Sequence, residues 1–121
     1  MKKNKTNLEI LIDKISDSYL ETTIWSSGED FDNFTIYDVD PESVKSARQD
    51  IKGFYELALP LLSDAENIPE QIGHNFSLNR NGHGAGFWDG GYENGAELSD
   101  LCDSFGTVDV YEGDNGKLYF S

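Results

Sequence analysis

The chain of 121 residues has room for one hydrophobic core of moderate size, and its 23 Asp and Glu against 9 Lys and Arg leave a formal charge of −14. That balance excludes a phosphate-binding surface built on clustered cations, because nucleic-acid binding needs Lys and Arg to displace counterions. A single cysteine, Cys102, excludes an internal disulfide framework and fits a reducing compartment.

Residues 1–6 read as a frayed polar leader holding Lys2, Lys3 and Lys5, so from residue 6 onward 23 acids face 6 bases. In "NLEILIDKI" the apolar run is interrupted by Glu9 and Asp13, unlike a signal peptide, and no run approaches membrane-spanning length. The expectation is a soluble, cytoplasmic protein. Leu8, Leu11, Ile12, Ile15, Tyr19 and Leu20 recur at helical spacing, with Thr6 or Asn7 as cap, and predict a first helix. "SSGEDFDNFTIYDVD" reads as a loop with a short strand at Phe34 to Tyr37, and six acids with no base lie between Gly28 and Val44. A second helix opens with Asp40 as cap and Pro41 at its first position, carries Val44, Ala47, Ile51, Phe54, Tyr55, Ala58 and Leu62 on one face, and should end or kink at Pro60.

After a short helical turn at Pro69 to Ile72, the pattern changes. His74, Phe76, Leu78 and Arg80 alternate with Asn75, Ser77 and Asn79, the period of a half-buried strand. "NGHG" and the extended run "AGFWD" complete a β-hairpin. A third helix comes next, with Leu98, Leu101, Cys102 and Phe105 facing one way and Gly106 as its stop. "TVDVYEG" and "KLYFS", joined by "DNG", form a second hairpin. The sum is a single α+β domain over residues 1–121, with N-terminal helices packed on a mostly antiparallel sheet of about four strands and a third helix between two hairpins.

The run "HNFSLNRNGHGAGFWDGG", a helix, and the ending "GTVDVYEGDNGKLYFS" resemble a group of small acidic proteins of bacteriophages and prophages, over roughly the last fifty residues. The resemblance implies phage ancestry and a similar C-terminal fold. It implies no reaction, and at most a role in taking over or disarming the host cell.

The chemistry-bearing residues have plainer alternatives. His74, His83 and Asp89 are of types that bind zinc, but their spacing fits no familiar motif. Gly82, Gly84 and Gly86 evoke a phosphate cradle, yet the Lys and the Ser or Thr of a P-loop are absent, and a tight turn explains them better. On that reading His83 is dispensable for folding, whereas Gly84 needs its glycine. His83 and Asp89 have no nucleophile at motif spacing, and Cys102 reads as core. "DVDPE" and "EGDNG" lack the closing Glu of a calcium loop. No catalytic activity, cofactor or metal is expected. Phe87 and Trp88, adjacent in an extended run, should point to opposite faces, so that one enters the core while the other is either exposed as a partner contact or covered by helix three or the N-terminal loop.

After Gly53 there are twelve acids and two bases, Arg80 and Lys117. Such a surface can present carboxylates where phosphates would lie and so occupy the basic groove of a nucleic-acid-binding protein. The expected function is a phage-encoded inhibitor of a host defence or DNA-processing protein, of the anti-restriction or anti-CRISPR kind. The expected contacts are Glu29, Asp30, Asp32, Asp38, Asp40 and Glu42, the row Glu93, Glu97, Asp100 and Asp103, and Phe87, Trp88 and Asp89. The alternatives are a small-ligand binder or enzyme centred on residues 79–91, and a structural or regulatory phage protein.

Overall fold

Helix α1 spans Asn7–Ser26 and is opened by Thr6, whose hydroxyl accepts from the Glu9 amide. Lys5 pairs with Asp13, which also takes Arg48 from the next helix. The hydrogen bond from Lys5, and then Arg48, hold the Asp13 carboxyl below its ordinary range. The computed structural model describes residues 5–83 and 85–121. Gly84, expected to need its glycine in the turn, lies outside the described residues.

After α1, single 3-10 turns at Glu29–Phe31 and Ile36–Asp38 carry the acidic segment. No strand forms at Phe34 to Tyr37. The side chains of Thr35 and Asp38 take backbone amides of the turn instead, the Thr35 amide donating to Asp38 Oδ2 at 2.7 Å and the Tyr37 amide to Thr35 Oγ1 at 3.3 Å. Side chains of this type offer the backbone local partners and so displace a sheet ladder. Helix α2 is Pro41–Ala58, capped by Asp40 Oδ2 accepting from the amides of Glu42 and Ser43, and it ends where Pro60 enters a 3-10 turn at Leu59–Leu61. A further turn at Asp64–Glu66 is closed by Glu66, whose two carboxylate oxygens accept from the amides of Ser63 and Glu93, both at 2.9 Å. Those amides, Ser63 first, hold the Glu66 carboxyl below its usual value.

The largest departure from expectation lies in the next segment. Residues Pro69–Arg80 form one helix, α3, so there is no strand from His74 to Arg80 and no first hairpin. The alternation of polar and apolar side chains does not track exposure here, because Phe76, Ser77, Leu78, Asn79 and Arg80 are all buried. Ser77 Oγ meets Thr23 Oγ1 at 2.7 Å, and the other buried polar groups of this helix are paired as well, which removes the cost of taking them from water. α3 packs on α1 more extensively than any other pair of elements do. Gly73 sets that approach: a Cβ there would run into the Ile15 carbonyl oxygen and come within 2.9 Å of Ser18 Cβ and the Tyr19 amide nitrogen.

The supposed turn after α3 ends in a 3-10 turn at Phe87–Asp89, and helix α4, Gly95–Asp103, leads to Gly106 at φ +75°. Strands β1, Val110–Glu112, and β2, Leu118–Phe120, pair antiparallel around Tyr111 and Tyr119, with Gly116 at φ +79° in the turn. Among the described residues the sheet therefore has two strands, and the four-stranded sheet under N-terminal helices is replaced by a helical assembly with one hairpin on its flank. The hairpin docks through Leu118, which is fully buried and bridges in parallel to Val39.

The core gathers Ile12, Ile15 and Tyr19 of α1, Ile51 and Phe54 of α2, Ile72 and Phe76 of α3, then Phe87, Leu98, Cys102 and Leu118. Phe54 and Phe76 stack with ring centres 4.3 Å apart, and Phe87 leans on Phe54 at 5.7 Å. Among the described residues no helix is long and apolar enough to cross a membrane.

Candidate functional site

The acidic residues fall on two separate parts of the fold. Glu29, Asp30 and Asp32 are exposed around the 3-10 turn that packs on the end of α1. Asp38 and Asp40 are half-buried and committed to capping, and Glu42 is exposed in the first turn of α2. The second group stands on and just before α4: Glu93, Glu97, Asp100 and Asp103 are all exposed, the last three at intervals of three along the helix. Asp103 Oδ1 also receives a long bond, 3.4 Å, from Asn79 Nδ2.

Phe87 and Trp88 divide as adjacent aromatics should, though in a 3-10 turn and not in a strand. Phe87 is fully buried and Trp88 is 57% exposed. Asn79 makes the turn possible: its Oδ1 accepts from the Phe87 amide at 3.2 Å, while its Nδ2 donates to Ser99 Oγ at 3.0 Å. Gly86, at φ +137°, lies so close that a Cβ would come within 2.8 Å of the Asn79 side chain. Asp89 Oδ1 accepts from the Gly86 amide at 3.0 Å, which gives this carboxylate a local task in the turn.

His74 and His83 are not brought together with Asp89. Among the described residues no group of three or more His, Cys, Asp or Glu is placed to hold a metal ion. His74 Nδ1 shares a hydrogen bond of 3.0 Å with Thr22 Oγ1, and His83 is exposed near Ala85 and Leu78. The Cys102 thiol is in the core, where burial pushes its pKa far up and removes thiolate character at neutral pH.

Arg80 changes the charge reading most. Its Nε donates to the Gly106 carbonyl at 2.8 Å, Nη2 to the Phe105 carbonyl at 2.8 Å, and Nη1 to Tyr19 Oη at 3.1 Å and Asp50 Oδ2 at 3.0 Å. The guanidinium also lies over the Phe76 ring, 5.1 Å from its centre. This arginine is 4% exposed. Burial raises the pKa of Tyr19, partly opposed by Arg80, so the phenol stays a neutral partner.

One residue was not singled out by sequence pattern. Trp25, next to the buried Ile24, is 67% exposed and stands between three hollows. The largest, about 760 Å³, runs between α1 and α3 and is lined by Asp17, Glu21, Trp25, Glu70, His74 and Tyr92, with Lys14 also on its wall. Its walls are held in place: the Trp25 and His74 rings lie nearly parallel with centres 6.3 Å apart, and Asn75 Nδ2 donates to Tyr92 Oη at 2.9 Å. A second hollow, about 380 Å³, joins Trp25 to Phe31, Phe34, Ile36 and the exposed Tyr37. The available signal was position: Trp25 lies off the stripe of Ile12, Ile15 and Tyr19, at a helix end that runs into Ser26, Ser27 and Gly28.

No family model matches this chain, and no curated protein or solved structure is significantly similar to it.

Proposed function

We propose that the chain is an acidic binding protein of bacteriophage origin, acting in the cytoplasm of an infected bacterium, that occupies the basic groove of a host defence or DNA-processing protein in place of nucleic acid. Its activity is binding and not catalysis. The observation that carries this reading is the burial of Arg80: beyond Gly53 twelve acids remain, and among the described residues there Lys117 is the one cation that faces solvent. Among the described residues only Asp13 and Asp50 take part in ion pairs, so the exposed Glu93, Glu97 and Asp100 have no cation against them. A surface of one sign accelerates encounter with a basic groove and is weakened by salt. The sequence resemblance over the C-terminal part supports the phage origin.

The test is capture of bacterial lysate proteins on the immobilised chain, with elution by salt or by duplex DNA. The expected result is a nucleic-acid-binding protein released by both and lost when Glu93, Glu97, Asp100 and Asp103 are changed to Lys. Capture that neither DNA nor the charge reversal disturbs would overturn the reading.

A further inference from the structure

We propose that the groove between α1 and α3 is the seat of an arginine side chain carried by the partner, and that Trp25 is the surface on which its guanidinium stacks. The proposal rests on the acidic-binding reading and names the chemistry that would make such binding selective. Trp25 is 67% exposed and borders three hollows at once, and tryptophan is prominent among the residues that anchor interfaces. The occupant is set by charge: Asp17, Glu21 and Glu70 line the groove against a single cation, Lys14. An apolar ligand would leave those carboxylates desolvated and unpaired, and an anion would be repelled. A cation with a flat face satisfies both the indole and the acids.

Arginine meets this requirement better than lysine. Its planar guanidinium stacks on an aromatic face while its N–H fork pairs with carboxylates, whereas an ammonium is a compact and strongly hydrated charge. The molecule uses the same chemistry inside itself, where Arg80 covers the Phe76 ring while its N–H groups are bonded to Asp50 and to carbonyls. The groove is also prepared in advance, because the Thr22–His74 and Asn75–Tyr92 hydrogen bonds fix two of its aromatic walls. Preformed walls reduce the ordering cost of binding.

The experiment titrates the full chain with hexa-arginine and, separately, hexa-lysine, tracking affinity by calorimetry and the indole N–H resonances of Trp25 and Trp88 by NMR. The expected result is an affinity for hexa-arginine about tenfold above that for hexa-lysine, with the Trp25 resonance moving first. Trp25→Ala should erase that preference while weak, salt-sensitive binding of both peptides persists, and Trp25→Phe should restore part of it. Glu21→Gln should weaken hexa-arginine binding severalfold. Equal affinity for the two peptides with an unmoved Trp25 resonance would overturn the arginine seat and leave the acidic-surface reading standing. Failure of both peptides to bind even at low salt would overturn the two together.

Discussion

In α2 the buried residues Ser43, Ala47, Ile51, Phe54, Tyr55 and Ala58 form one stripe at helical spacing, whereas in α3 the last five residues, Phe76 to Arg80, are buried on every side. Both helices begin at a proline, and both contribute a phenylalanine to the same stacked pair. They differ in how polar groups are treated. α2 leaves Lys45 and Lys52 in water, and its buried polar groups are two hydroxyls: Ser43 Oγ, which accepts from the Phe120 amide, and Tyr55 Oη, which donates to Asn67 Oδ1. α3 carries Ser77, Asn79 and a charged Arg80 inside, tied to several elements: Ser77 to α1, Asn79 to α4 and the turn at Phe87, Arg80 to α1, α2 and the backbone after α4. A helix can be surrounded by protein without being apolar, provided every buried donor and acceptor finds a partner.

The sharpest way to break this contrast is Arg80→Met, which keeps the side chain long but removes its charge and its donors. It would strand the Phe105 and Gly106 carbonyls and Tyr19 Oη in the interior and leave Asp50 without its cation. Stability should fall by about 3 kcal/mol in urea titration. A loss below about 1 kcal/mol would mean that the polar interior of α3 contributes little. Gly73→Ala comes next. In an exposed helix this change stabilises by up to about 1 kcal/mol, but here the Cβ meets the α1 backbone, so a loss of about 2 kcal/mol is expected in the same titration. A gain would show that α1 can yield and that the close approach is not a constraint. The smallest effect belongs to α2, where Asp40→Ala removes a cap and should cost about 1 kcal/mol by thermal melting. An effect as large as that of Arg80→Met would erase the distinction between the two helices.

Legibility in the sequence divides along the same line. The helix from Asn7, the Asp40–Pro41 start of α2, its end before Pro60, the helix through Leu98 and Cys102, and the closing hairpin are all signalled by caps, stripes and turn residues. Those signals work because polar side chains there face water. In residues 74–80 most of them face protein, and the pattern takes on the period of a strand although the backbone is helical. Nothing local marks Asn79 as the bracket of the Phe87 turn, since its partners lie eight and twenty residues away. For the candidate site, the exposure of the α4 acids agrees with their place away from Leu98 and Cys102, and of the two outcomes open for the second ring of the Phe87–Trp88 pair the structure shows exposure, at Trp88. Trp25 was hidden because an aromatic in a helical segment is ordinarily counted toward the core.

The docking of Leu118 beside Val39 also orders events in time. The Asp40 amide donates to the Leu118 carbonyl at 2.8 Å, and the Phe120 amide donates to Ser43 Oγ at 3.1 Å. The entrance of α2 is thus clasped by a residue 77 positions downstream, and Thr23 of α1 waits 54 positions for Ser77. On a ribosome, α1 and the start of α2 can coil locally but cannot acquire either set of neighbours until α3, and later β2, has left the exit tunnel. These contacts between distant residues make part of the packing of the N-terminal helices depend on the C-terminal half of the chain.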